Sequence, residues 1–220
     1  MYLKNLFQST YFAPLFILFG IIIQIISAWI NSETELSLLS GISGVIAVVL
    51  CSQKNFKFYL FAWIQTVTYF YIAMHQNLYG EMIEYIFYAI TMIYGMWAWL
   101  TNYNRKTEEV ATRSQSIVSS ISTAALTFIG IMVVYSMLKT TDDTQPFLDS
   151  LSTVPAFVAQ LLMVARFKEQ WFYWLIIDIA SVIMWAKAGD YCMVSQFIFW
   201  TLNCLYGYYM WNKTNKGLEI

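Results

Sequence analysis

Residues 174–185 read WLIIDIASVIMW, an apolar run broken by one carboxylate, Asp178, and bounded by two tryptophans. Trp174, Asp178, Ser181 and Trp185 recur at i, i+4, i+7 and i+11, which on an α-helix is a single stripe. The residues between them are Leu, Ile, Val, Met and Ala. A carboxylate at the centre of such a segment costs about 2.5–3.5 kcal/mol on membrane-insertion scales, and intramembrane charges mark functional sites or paths. Asp178 is therefore read as a counter-charge for a cationic ligand or a proton carrier. The competing reading is a hydrogen-bonded packing residue.

Segments of this kind recur along the chain. Of 220 residues, 59% are hydrophobic, 19% aromatic and 11% charged, whereas soluble domains carry roughly 25% charged residues. Apolar runs near 13–31, 36–51, 57–75, 81–101, 117–138, 147–165, 171–187 and 192–212 are separated by short polar loops. They lack the two-residue alternation of barrel strands. The pattern predicts an all-α polytopic membrane protein of eight transmembrane helices, each satisfying its own backbone in lipid. The first apolar core is long for a signal peptide, and no small-residue cleavage site stands out near Ser27–Ala28, so it is read as a retained helix.

Ten of the twelve Lys and Arg residues fall in the N-terminus, the 2/3, 4/5 and 6/7 loops and the C-terminus: Lys4, Lys54, Lys57, Arg105, Lys106, Arg113, Arg166, Lys168, Lys213 and Lys216. Only Lys139 and Lys187 fall in the other loops. That bias places both termini in the cytoplasm. A net charge of −1 gives no nucleic-acid footprint. Cys51, Cys192 and Cys204 show neither a disulfide framework nor metal spacing. The single His75 reads as an interfacial loop residue. No P-loop, HExxH or Cys/His cluster occurs, and no lysine lies in mid-span to form a Schiff base. The expectation is a non-enzyme without cofactor or metal.

The chain also resembles itself. Residues 39–99 and 151–211 align without a gap at an offset of 112, with eleven identities in 61 positions, Tyr94-Gly95/Tyr206-Gly207 and Trp99/Trp211 among them. The expected organisation is an extra N-terminal helix in 1–35, a three-helix repeat in 36–104, a loop and connecting helix in 105–146, and a second repeat with a tail in 147–220. An odd number of connecting helices makes the repeats parallel, an arrangement that places substrate near the midplane between them in transporters.

The repeat sorts the polar residues. Asp178 and Ser181 in the seventh span face Thr66 and Tyr69 as counterparts in the third. In the eighth span Gln196, Trp200, Asn203 and Gly207 share the stripe spacing, with Glu84, Tyr88, Thr91 and Gly95 as counterparts. Candidate binding residues are Asp178, Ser181, Asn203, Trp200, Trp174, Trp185, Gln196, Tyr88, Gln65 and Thr68. Some have other readings. Asn203 suits an interhelical hydrogen bond, and Trp174 and Trp185 lie near membrane faces, where tryptophan forms interface belts. Trp97, Trp99, Trp171 and Trp211 at span ends are expected to be belt anchors, and Glu84 a hydrated carboxylate. In the second and sixth spans, small residues at 40–44 and 152–156 permit close approach, and Pro155 suggests a bend.

Tyr79-Gly80-Glu81, Tyr88 and Tyr94-Gly95-x-x-x-Trp99, followed by Trp171-x-x-Trp174-x-x-x-Asp178-x-x-Ser181, resemble the PnuC nicotinamide riboside transporters over the second to eighth spans. The resemblance implies a vitamin B3 transporter of the bacterial inner membrane with a SWEET-like three-plus-one-plus-three core. It implies a homotrimer with one path per protomer, facilitated diffusion, and a separate cytoplasmic kinase that traps the riboside. Related proteins carry thiamin or riboflavin, so fold alone does not choose the vitamin. The candidate residues suit the riboside: Asp178 and the Trp faces suit a pyridinium cation, and Asn203, Gln196 and Ser181 suit its carboxamide and hydroxyls. The expected activity is uptake of nicotinamide riboside through alternating access at a midplane site. The alternatives are a membrane receptor that binds without transport, or a facilitator for thiamin, riboflavin or a sugar. Proton coupling through Asp178 stays open.

Overall fold

A computed structural model describes residues 7, 9–32, 34–75, 79–142, 144–189 and 191–212. Lys4, Lys213 and Lys216 lie outside the described residues, as do the side chains of Tyr79, Gly80, Glu81 and Cys192. Among the described residues, eight helices follow one another: α1 Phe12–Asn31, α2 Glu35–Ser52, α3 Phe58–His75, α4 Tyr79–Leu100, α5 Ile117–Leu138, α6 Pro146–Val164, α7 Gln170–Ala188 and α8 Tyr191–Asn212. Each expected span falls on one of them, with ends displaced by at most two residues. Local chemistry explains several boundaries. The Thr34 and Ser116 hydroxyls cap α2 and α5 by accepting from the Ser37 and Ser119 N–H groups at 3.2 Å. Pro146 opens α6, and Gly189 ends α7 at a φ of 81°. The α6 helix continues through Pro155.

By length and composition, α1, α2, residues Met82–Leu100 of α4, α5 and α6 are long and apolar enough to cross a membrane. Leu15, Leu18, Phe19 and Ile22 on α1 are exposed, as are Ile121, Leu126, Phe128 and Ile129 on α5. Apolar surface of this extent suits lipid rather than water.

The chain divides into two compact units, residues 1–111 with 209–220, and residues 112–208. In the first unit, α1 packs on α2, α2 on α3 and α3 on α4. Glycines permit close approach: a Cβ on Gly41 would meet the Gln24 amide, and one on Gly44 the Gln65 amide. Trp99 is buried against Phe58 and Tyr59, and Trp211 packs on Trp99 at 5.8 Å between ring centroids. The Trp211 Nε1–H donates to the Cys51 carbonyl at 3.0 Å. In the second unit, α5 packs on α6 and α6 on α7. Ala156, Ala159 and Leu162 meet Tyr173 and Ile177 in the α6–α7 core. Trp171 is buried over Gly207. Three of the four tryptophans expected as belt anchors, Trp99, Trp171 and Trp211, are thus core residues that close helix ends; Trp97 is exposed.

The turns after α2 and α6 have the same backbone design. Lys54 and Arg166, which are 112 positions apart, both adopt the left-handed conformation, with φ of 59° and 66°. Lys54 N–H donates to Cys51 O, and Arg166 N–H to Met163 O. Asn55 N–H donates to Leu50 O, and Phe167 N–H to Leu162 O. The following turns match as well, Phe58 to Asn55 and Gln170 to Phe167.

Each turn also receives part of the 101–116 segment. In the first unit, β1 (Tyr103–Asn104) and β2 (Glu109–Val110) form a small antiparallel ribbon. Val110 N–H donates to Lys54 O at 3.0 Å, while the buried Lys54 Nζ meets Glu109 Oε2 at 2.6 Å. In the second, Arg113 N–H donates to Arg166 O at 2.8 Å, and the Arg113 guanidinium lies over the Phe167 ring at 4.5 Å. The ribbon is a departure from the purely helical reading. Two-residue strands have no periodicity to detect and depend on the turn they dock against.

Packing at the two glycines gives a contrast. A Cβ on Gly207 would stand 2.4–2.6 Å from Trp171 ring atoms, which are rigid and buried. One on Gly44 would displace only the tip of the Gln65 amide, at 2.7 Å. Gly207→Ala is expected to destabilise by about 1–3 kcal/mol. Gly44→Ala gains helix propensity of about 1 kcal/mol and should be neutral or better. Thermal unfolding of both variants in detergent checks this; equal melting temperatures would contradict the packing.

Candidate functional site

The α7 helix has two chemically different faces. Ile176, Ile179 and Ile183 are exposed, while Asp178 and Ser181 are 3% and 2% exposed. The stripe seen in the sequence therefore turns inward. Its placement follows from the neighbours: the small Ala156 and Ala159 of α6 admit Ile177 closely, and Trp171 seats the start of α7 on Gly207 of α8.

The α8 helix contributes buried Asn203 and Cys204. The Cys204 thiol donates to Asp178 Oδ2 at 3.1 Å, which joins the two helices at the carboxylate. A thiol is a weak donor, so it orients the carboxylate without neutralising it. Trp200, on α8, is partly buried, and its ring packs edge-on against Phe197 at 5.0 Å. Its Nε1 is buried and has no hydrogen-bond partner among the described residues. Trp174 is partly buried, and its Nε1–H reaches Gln170 Oε1 at 3.4 Å. Trp185 and Gln196 are also partly buried.

Seven candidates, Trp174, Asp178, Ser181, Trp185, Gln196, Trp200 and Asn203, thus belong to the second unit. Gln65, Thr68 and Tyr88 belong to the first and make local contacts there. Gln65 lies over Gly44. The Thr68 hydroxyl donates to the Ile64 carbonyl of its own helix at 2.7 Å. The Tyr88 hydroxyl donates to Glu84, which therefore has a protein partner as well as its place near the helix end.

Two residues were missed by sequence reasoning. Cys204 was given no role, although it stands at i+4 from Trp200 and hence on the face of interest. Gln170 falls just before the span expected at 171–187 and was given no role, yet it lies at i−4 from Trp174 and is fully buried.

The second-unit group offers a carboxylate, a hydroxyl, amides, an indole N–H and aromatic faces. Such a set can hold a small, flat, cationic molecule by charge, stacking and hydrogen bonds. Among the described residues, no three His, Cys, Asp or Glu side chains gather as metal ligands would.

The sequence model of the family described as nicotinamide mononucleotide transporter matches residues 34–213. The nicotinamide riboside transporter PnuC of Haemophilus influenzae is 32% identical over 200 residues, covering 89% of this chain and 87% of that protein. The PnuC of Neisseria mucosa is 27% identical over 218 residues, covering 94% and 83%. At 27% identity that protein is a relative and a different protein. The crystal structure of the vitamin B3 transporter PnuC superposes with a TM-score of 0.76 at 25% identity, covering 93% of this chain and 92% of that one. With its fold and nearly all its length shared in this way, the chain belongs to the nicotinamide mononucleotide transporter family.

Proposed function

We propose that this chain carries nicotinamide riboside across the bacterial inner membrane by facilitated diffusion, through alternating access of a site built on α7 and α8. The observation that carries the reading is Asp178: a buried carboxylate in an apolar helix pair, held by a thiol. Among the described residues, every Lys and Arg lies outside the helices or in a last turn. A pyridinium riboside would supply the missing positive charge. The mononucleotide would bring a phosphate towards a carboxylate with no basic residue beside it in sequence, so the riboside is the better fit. The relatives named as riboside transporters support the same choice.

In this reading Asp178 faces the cation, Trp200 and Trp174 stack or donate, and Ser181, Asn203 and Gln196 meet the carboxamide and hydroxyls. Trp185 extends the α7 stripe, and Gln65, Thr68 and Tyr88 are candidate contacts of the first unit. All eight helices span the bilayer, and the organisation is an extra helix in 1–35, repeats in 36–104 and 147–220, and a connector in 105–146. The matched turns at Lys54 and Arg166 support the parallel SWEET-like repeat. The basic-residue bias supports cytoplasmic termini. The family resemblance adds a homotrimer with one path per protomer, and a cytoplasmic kinase that phosphorylates the riboside after entry.

Proteoliposomes containing the purified protein should take up labelled nicotinamide riboside to internal equilibrium. Uptake should be blocked by excess unlabelled riboside but not by thiamin, riboflavin or simple sugars. Saturable binding without uptake would make the protein a receptor, and effective competition by another vitamin would change the substrate. An imposed pH gradient should leave the rate unchanged; a clear dependence would indicate proton coupling.

Site variants give a second expectation. Loss of a charged contact in Asp178→Asn should weaken riboside binding about ten- to a hundredfold. Asn203→Ala removes a neutral hydrogen bond and should cost about two- to tenfold. Calorimetric titration of the folded variants checks both, and unchanged affinity in the pair would remove the site from α7 and α8.

A further inference from the structure

The stripe on α7 does not begin at Trp174. Gln170 is 0% exposed and stands at i−4 from Trp174 and i−8 from Asp178. Its amide orientation is dictated by chemistry. Trp174 Nε1–H is only a donor, so the Gln170 atom facing it at 3.4 Å must be the oxygen Oε1. The amide nitrogen then points elsewhere, and among the described residues Gln170 Nε2 is buried without a hydrogen-bond partner.

Packing alone does not require an amide at this position. The counterpart of Gln170 in the first repeat, at the offset of 112, is Phe58, which is 3% exposed. The turns before the two residues have the same hydrogen bonds, so an apolar side chain fits the same local backbone. An amide with one half unsatisfied is the costlier choice there. The unpartnered donor is also on the helix face that carries Trp174 and Asp178, roughly 12 Å along the axis from the carboxylate at 1.5 Å per residue. Side chains on a helix lean towards its N-terminus, which carries the amide further from Asp178.

We propose that Gln170 is a second substrate-contacting station of the transport path, at the N-terminal end of α7, where its amide N–H donates to an acceptor oxygen of the passing substrate. The inference rests on the riboside-transport reading. The acceptor is the carboxamide oxygen or a ribose oxygen, and both are neutral and available on nicotinamide riboside. Because the station is separated from Asp178, it acts on passage rather than on resting occupancy of the central site. The Trp174 indole, held by the same amide, forms the wall between the two stations.

The test pairs equilibrium binding in detergent with initial uptake rates in proteoliposomes for Gln170→Leu, Gln170→Met and Gln170→Glu. All three lose the N–H donor, while Gln170→Glu keeps an acceptor for Trp174. The expected result is turnover reduced about tenfold in all three variants, with riboside affinity within about twofold of the unmodified protein in Gln170→Glu, which keeps the Trp174 acceptor and whose binding also reports correct folding. That is the size expected for one lost hydrogen bond. The riboside of pyridine, which lacks the carboxamide, locates the acceptor. Uptake of this analogue unaffected by Gln170→Leu places the contact on the carboxamide, and an equal loss places it on the ribose. Normal turnover in Gln170→Leu or Gln170→Met overturns the proposal. Normal turnover in Gln170→Glu alone also overturns it, because Gln170 would then act only by positioning Trp174. Failure of the unmodified protein to take up riboside would instead refute the transport reading.

Discussion

Asp178 is a carboxylate buried between apolar helices and held by a thiol. Its placement sets the terms for the rest of the second unit. A charged group in hydrocarbon is kept only where it faces the interior of a bundle. The α7 helix must therefore be rotated so that Ile176, Ile179 and Ile183 take the outer face. Ala156 and Ala159 make that rotation possible by letting α6 approach Ile177 and Tyr173. Trp171, seated on Gly207, sets the start of α7 against α8, and Cys204 can then meet the carboxylate. A larger residue at 207 would disturb the seat on which this geometry depends.

The two turns at Lys54 and Arg166, 112 positions apart, are alike in backbone and different in side chain. Backbone conformation and hydrogen bonding agree position by position. Side-chain chemistry does not. Phe58 stands where Gln170 stands in the other half, Thr66 where Asp178 does, and Thr91 where Asn203 does. The turn backbone is thus matched, while the carboxylate and amide side chains at these three positions all fall in the second unit. The first half uses its own polar groups locally, as in Thr68 on the Ile64 carbonyl and Tyr88 on Glu84.

Helix positions were legible in the sequence because lipid removes ambiguity. A run of roughly 20 apolar residues has few alternatives to a helix, and all eight runs became helices. The inward turn of Asp178 and Ser181 was legible for the same reason, since Ile176, Ile179 and Ile183 are aliphatic and take the outer face. What was not legible depends on tertiary contact. Span-end tryptophans look alike whether they face the membrane interface or a helix end. Trp97 is exposed, yet Trp99, two residues later, is buried against Phe58 and Tyr59. The ribbon at 103–110 exists through its bonds to Lys54, which local pattern does not encode. Cys204 was read by its usual redox and metal roles, so its capacity as a weak donor to Asp178 was overlooked.

That weak donor bears on the kind of binding the proposed site can support. A carboxylate locked to a buried arginine would be stable but would have little to offer a cation, since the incoming charge would have to displace a strong ion pair. A carboxylate with no partner would be too costly to bury. A thiol lies between these limits: it orients one oxygen through a weak bond that an incoming cation can outcompete. The same balance holds at Trp200, whose indole N–H is buried but has no acceptor among the described residues. Groups satisfied to this degree favour a ligand without retaining it, as a facilitator requires. Micromolar affinity, about 8 kcal/mol, is reachable from a few such contacts, whereas a fully preorganised ionic cage would hold the substrate too tightly for release on the other side.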